Sequence, residues 1–146
     1  MKKALCVLLG VLAVFILFGC KSEEPGVMEN KSNKTVIFVN GIAPADVWIL
    51  PDTAASRKTT VWGKAAVSGV PTRESRAVPL PEPGENGLYL LRMIDAEGFY
   101  YSADEIALSP GCTLRISEAA PMEFTLAVQG ANGETQNTYS VFCARL

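Results

Sequence analysis

The 146-residue chain contains no histidine, and that absence excludes more chemistry than any motif in it suggests. Ser-His-Asp and Cys-His nucleophilic sites lose their general base, and the common zinc sites lose their imidazole ligands. An excess of charge of one sign is lacking too. Thirteen Lys and Arg face fifteen Asp and Glu, a net charge of −2. Nucleic acid is bound through a basic face that displaces counterions from phosphates, so no nucleic-acid partner is expected. The densest basic stretch, Arg57, Lys58, Lys64, Arg73 and Arg76, is interrupted by Glu74 and reads as solvated surface. Nothing singles out a cofactor, a metal or a pair of catalytic acids. Carboxylate-pair hydrolysis and oxygen-ligand cation binding are the chemistries left open.

Long apolar runs are also scarce. The longest, Ala4 to Phe18, follows Lys2 and Lys3 and precedes Gly19 and Cys20. A positive segment, an apolar segment and a small residue before a cleavage point make an export signal, expected over residues 1–19 and absent from the mature chain. The run is shorter than the ~20 apolar residues that a bilayer span requires. Leu17-Phe18-Gly19-Cys20 resembles the lipobox of bacterial lipoproteins. The resemblance implies that Cys20 is acylated and becomes the first mature residue, held in a bilayer by several chains at about 0.8 kcal/mol per buried methylene. Lys21 stands where an aspartate would favour inner-membrane retention, which implies an outer-membrane address in a double-membraned cell. Losing Lys2 and Lys3 without losing an acid leaves eleven basic against fifteen acidic residues, a mature charge of −4.

From Lys21 to Asn33 the sequence is polar and has no apolar period, so residues 20–33 read as a lipidated cysteine and a flexible tether. About a dozen residues at roughly 5 to 6 Å times the square root of their number reach about 20 Å. Residues 34–146 suffice for one core.

Cysteines are few, four in all, and the compartment sorts them. With Cys6 cleaved away and Cys20 acylated, Cys112 and Cys143 remain as an even pair where disulfides form, and a bond between them is expected. Closing a loop of about thirty residues would contribute roughly 3 to 4 kcal/mol.

The periodicity is that of strands. Thr35 to Val39, Asp46 to Leu50, Arg76 to Leu80, Leu88 to Ile94, Gly98 to Ser102, Thr113 to Ser117, Glu123 to Gln129 and Thr138 to Ala144 are short runs bounded by Gly, Pro, Asn or Asp. Thr113-Leu114-Arg115-Ile116-Ser117 alternates most clearly, with Leu114 and Ile116 on one face. About seven or eight such strands predict an all-β domain, a single antiparallel β-sandwich. Asp95-Ala96-Glu97-Gly98 reads as a tight hairpin in which Asp95 caps its own turn, a stronger reading than a calcium loop. Pro51 to Ser75 is the longest stretch without strand character, with a short helical turn expected at Trp62 to Val67. Trp62 either plugs the end of the core or, with Tyr100 and Tyr101, makes an aromatic platform for a glycan or a protein. Adjacent Tyr100 and Tyr101 point to opposite faces of a strand.

Val39-Asn40-Gly41, Val47 to Pro51, Trp62-Gly63, a turn at Pro71 to Ser75, Ala77 to Leu80, Tyr89 to Arg92 and Asp95 to Tyr101 resemble the motifs of a class of small secreted bacterial domains with prealbumin-like topology. The resemblance covers about residues 36 to 117. It implies the sandwich fold and no particular activity. Two readings of function remain: a non-catalytic binding or structural lipoprotein of the cell envelope, meeting an envelope protein or glycan, and a carboxylate-based hydrolase of envelope glycans. Composition favours the first.

Overall fold

A computed structural model describes residues 33–146; the signal, Cys20 and most of the tether lie outside the described residues. The described chain forms strands β1 (Lys34–Asn40), β2 (Ala45–Pro51), β3 (Val67–Val70), β4 (Ser75–Pro79), β5 (Tyr89–Asp95), β6 (Phe99–Ile106), β7 (Thr113–Ala120), β8 (Glu123–Gln129) and β9 (Thr135–Arg145), with one short helix, α1 (Ala54–Lys58). Eight of the strands fall on the runs read from sequence. The ninth, β3, lies inside the segment that showed no strand character.

Inward positions alternate with outward ones along each strand. Ile37 and Val39, Val47 and Ile49, Leu91 and Met93, Leu114 and Ile116, and Leu126 and Val128 all point into one core. Each such side chain contributes roughly 1.5 to 3 kcal/mol by leaving water.

The strands make one nearly closed sheet in the order β3-β2-β5-β6-β9-β8-β7-β1-β4. Two corrections to the expected sandwich follow. The sheet is mixed, because β1 runs parallel to β7 while also pairing antiparallel with β4. Alternation marks a half-buried strand but carries no information about its neighbour's direction, so the sequence pattern was silent on this point. The sheet is also continuous through β9. Its first part pairs with β8, from Thr135 opposite Gln129 to Val141 opposite Phe124, and its last residues pair with β6, from Phe142 opposite Ser102 to Arg145 opposite Phe99. At the far seam β3 and β4 follow one another around a turn at Pro71 to Glu74.

β5 is buried on both faces, since Leu90 and Arg92 face outward and yet are covered. The cover is the stretch from Asp52 to Ala66. Asp52 N–H donates to the Leu88 carbonyl at 2.9 Å, Thr53 Oγ1 caps α1 by accepting from Ser56 N–H at 3.0 Å, and the chain then crosses the outer side of β2 and β5. Gly84 sits against this crossing so closely that a Cβ would strike the Asp52 carbonyl. The helical turn expected at Trp62 is absent; the helix forms earlier, where Thr53 supplies a cap.

A candidate binding face outside the sheet

The outer face of β2, β5, β6 and β9 is unusually apolar, and four aromatic rings run across it. Trp62, from the crossing segment, lies 5.4 Å from Trp48 of β2 at a 59° tilt. It stacks on Tyr100 of β6 with centroids 5.7 Å apart and planes within 15°. Tyr100 in turn meets Phe142 of β9 edge-on at 6.4 Å. Offset and edge-on contacts at these distances contribute about 0.5 to 1.5 kcal/mol each beyond area burial. Both indole N–H groups are bound, Trp48 to the Gly63 carbonyl and Trp62 to the Thr59 carbonyl, each at 3.1 Å. The first bond fixes the crossing segment to β2, and the second holds the Trp62 ring against its own segment. Trp62 therefore does not plug the core; it stands half-buried on the outside, because outward-facing Trp48 and Tyr100 offer it an apolar surface there.

Beside the stack is a groove of about 420 Å³ whose lining includes Arg57, Lys58, Thr60, Trp62, Arg92 and Tyr100. Its two arginines are held in place. Arg57 grips Asp52 with two bonds, Nε to Oδ1 at 2.6 Å and Nη2 to Oδ2 at 2.7 Å, and reaches Glu105 at 3.1 Å. Glu105 adopts φ +56° beside the register shift between β5 and β6, an irregularity of the kind that re-aims a side chain. Arg92, buried beneath the face, donates from Nη1 to Asp104 at 2.6 Å and to the Leu91 carbonyl at 2.8 Å. The Arg57 bonds outweigh burial and hold the Asp52 carboxyl below its ordinary range. That shift is the opposite of what a general acid in glycan hydrolysis needs.

Tyr101 parts company with the other two aromatic candidates. It points into the core, 3% exposed, with its ring edge-on to Phe124 at 5.1 Å. Its hydroxyl donates to Asp95 Oδ2 at 2.9 Å; burial, reinforced by that bond, pushes the phenol well above its usual range. Tyr101 is thus a core residue and no part of the platform. Asp95 Oδ1 accepts from Glu97 N–H at 3.0 Å and Phe99 N–H at 2.9 Å, and Gly98 takes φ +83°, which is the self-capped hairpin read from sequence. With both oxygens committed, Asp95 offers little to a cation. Among the described residues no three acids, cysteines or histidines gather as a metal site.

The expected disulfide does not form. Cys112 and Cys143 are both free. Cys143 lies opposite Tyr101, two residues past Val141, which pairs with Phe124, which pairs with Glu118. Cys112 precedes the other end of β7, six residues from Glu118, or about 20 Å at strand rise. Such a separation far exceeds the ~7 Å between Cα atoms that a bond allows. Cys112 is instead buried against Thr35, whose hydroxyl donates to its carbonyl at 2.6 Å.

Sequence reasoning found Trp62 and Tyr100 but missed Trp48, Arg57, Arg92 and Phe142. A usable signal existed in Val47-Trp48-Ile49-Leu50 and Leu90-Leu91-Arg92-Met93-Ile94. Apolar residues on both faces of a strand, interrupted only by Arg92 in the second run, mean cover on both faces in an otherwise alternating sheet. Comparisons with protein-family models, curated proteins and solved structures found no match.

Proposed function

We propose that the chain is a lipid-anchored protein of the cell envelope, exported by residues 1–19 and acylated at Cys20, whose β domain works by binding rather than catalysis. The two halves of the sheet joined by β9 are read as the layers of a prealbumin-like sandwich, in keeping with the motif resemblance. The partner is an envelope protein or glycan, and the contact residues are Trp62 and Tyr100. The observation that carries the reading is the Trp62–Tyr100 stack beside a groove lined by the ion-paired Arg57 and Arg92. Flat, amphipathic rings on a rigid sheet lose little conformational entropy when a partner covers them. Glycan hydrolysis has less support, since Arg57, which lines the groove, holds the buried Asp52 carboxyl in its ionised form.

Two measurements test this. Radiolabelled palmitate should enter the wild-type chain and not Cys20→Ser, which should also leave the membrane fraction. A photo-crosslinker at exposed Thr60 should capture a discrete envelope component in intact cells, with capture lost in Trp62→Ala. Capture unchanged by Trp62→Ala would remove the aromatic face from the account.

A further inference from the structure

Arg92 has more hydrogen-bonding capacity than the fold uses. The residue is 6% exposed, and its bonds all leave from one nitrogen. Nη1 donates to Asp104 at 2.6 Å, to the Leu91 carbonyl at 2.8 Å and to the Ala103 carbonyl at 3.3 Å. Among the described residues Nε and Nη2 have no partner. Every side-chain nitrogen or oxygen of the described residues that is sealed from water does have one, so these two donors are open to solvent. The cavity that Arg92 lines is the groove beside Trp62 and Tyr100. Guanidinium donors held in so covered a place cost free energy until something accepts from them.

The rest of the lining agrees with Arg92 in charge. Lys58, exposed at the end of α1, enters no ion pair or hydrogen bond among the described residues. Arg57 keeps Nη1 free of the bonds that tie its Nε and Nη2 to Asp52 and Glu105. The acids that pair with the two arginines, Asp52, Glu105 and Asp104, do not line the groove, and no other acidic side chain does. Donors therefore face this space without acceptors to answer them. Trp62, Tyr100 and Ile94 add an apolar wall, and Thr60 adds a hydroxyl.

These groups describe an anion with a partly apolar body. The Nε–H and Nη2–H bonds run parallel along one edge of a guanidinium and match the two oxygens of a carboxylate. At about 420 Å³ the groove falls within the range of small-ligand sites, about 300 to 1,000 Å³. A protein partner needs a broader seat, about 800 Å² on each side. A sugar acid meets each requirement, since its ring has an apolar C–H face, its hydroxyls suit Thr60 and its carboxylate suits Arg92.

We propose that the groove binds an acidic glycan, with the carboxylate of one sugar on the free Nε and Nη2 edge of Arg92, Lys58 as a second positive charge, and the ring against Trp62 and Tyr100. This rests on the reading of the aromatic face as a binding site and narrows its partner to a sugar acid. An uncharged glycan leaves the Arg92 donors unanswered, so the site selects against it.

Trp48 and Trp62 are the chain's two tryptophans and both lie in this face, so their emission reports on the groove. The full chain, held in a non-ionic detergent, is titrated with short oligomers of galacturonate and of glucuronate, and with their uncharged counterparts of galactose and glucose. An acidic oligomer should change the emission to saturation, and its neutral counterpart should bind about tenfold more weakly or worse, the loss expected when charge-assisted bonds go unmade. Lys58→Glu alters an exposed side chain, and Arg92→Lys keeps the charge while removing the fork. Each should weaken the acidic oligomer about tenfold and leave the neutral one unchanged. Equal affinity for acidic and neutral oligomers, or acidic binding indifferent to both variants, overturns the proposal. Inorganic phosphate that binds as tightly as the acidic oligomer and displaces it assigns the site to a phosphate and overturns it too. If no acidic oligomer binds while the Thr60 crosslinker still captures a component that Trp62→Ala loses, the sugar acid falls and the binding face stands. Failure of both measurements overturns the two together.

Discussion

At the scale of single residues, the buried charges and thiols give the sharpest expectations. Asp52 is almost wholly buried and bound twice by Arg57. Its folded-state pKa lies below the ordinary value of 3.8. The ion pair therefore adds stability at neutral pH and loses it as pH falls through and below that value. Asp52→Asn should lower the melting temperature at pH 7, and the gap to wild type should narrow as the pH drops below about 4. An equal gap at pH 7 and pH 2 would show that the pair contributes nothing. The cysteines predict a second result. Burial raises the Cys143 thiol above its usual range, while Cys112 is walled in by Thr35. Alkylation of the native protein should mark Cys143 slowly and leave Cys112 untouched until denaturant is added, as mass spectrometry would report. A mass two protons lighter that disappears on reduction would restore the disulfide.

Elements were legible to different degrees, for reasons that lie in specific stretches. β7 alternates inward apolar and outward polar residues over Thr113 to Ser117, and β8 alternates in burial along all seven positions, so period two alone locates them. β3 is four residues, Val67-Ser68-Gly69-Val70, with a glycine at φ +60° inside it. It is too short for a period and is held only by pairing with β2, a tertiary cause. The crossing segment was hidden in the same way. Apart from Val61 and Trp62 its residues are polar or small, and only contact with outward Trp48 and Tyr100 gives it a place. That contact depends on Gly84. Gly84→Ala would force Asp52 and its neighbours away from the sheet, at a cost of roughly 1 to 3 kcal/mol read from a denaturant midpoint. Tryptophan emission should shift to the red as Trp62 loosens. A variant with an unmoved midpoint would mean the crossing is less tightly seated than the packing here implies.

For the molecule as a whole, closure decides which parts open first. β5 is paired on both sides, with β2 and β6, and covered on both faces, whereas β3 and β4 each pair with a single neighbour. Amide exchange should be slowest in Tyr89–Asp95 and fastest, among strands, in Val67–Val70 and Ser75–Pro79. Uniform protection across the sheet would indicate that the seam between β3 and β4 is effectively sealed. The direction of β1 beside β7 and the sharing of β9 were beyond the reach of sequence, since both depend on pairings between distant segments.

That sharing has a bearing on how such a chain is made. Neither half of the sheet has its full complement of neighbours until β9 arrives, after every other described strand has been synthesised. Pairing over such long separations is also slow, because loops must close before contacts reward them. A polypeptide with this wiring stays open until its last described strand pairs, and β9 then acts as the latch that closes both halves of the sheet at once.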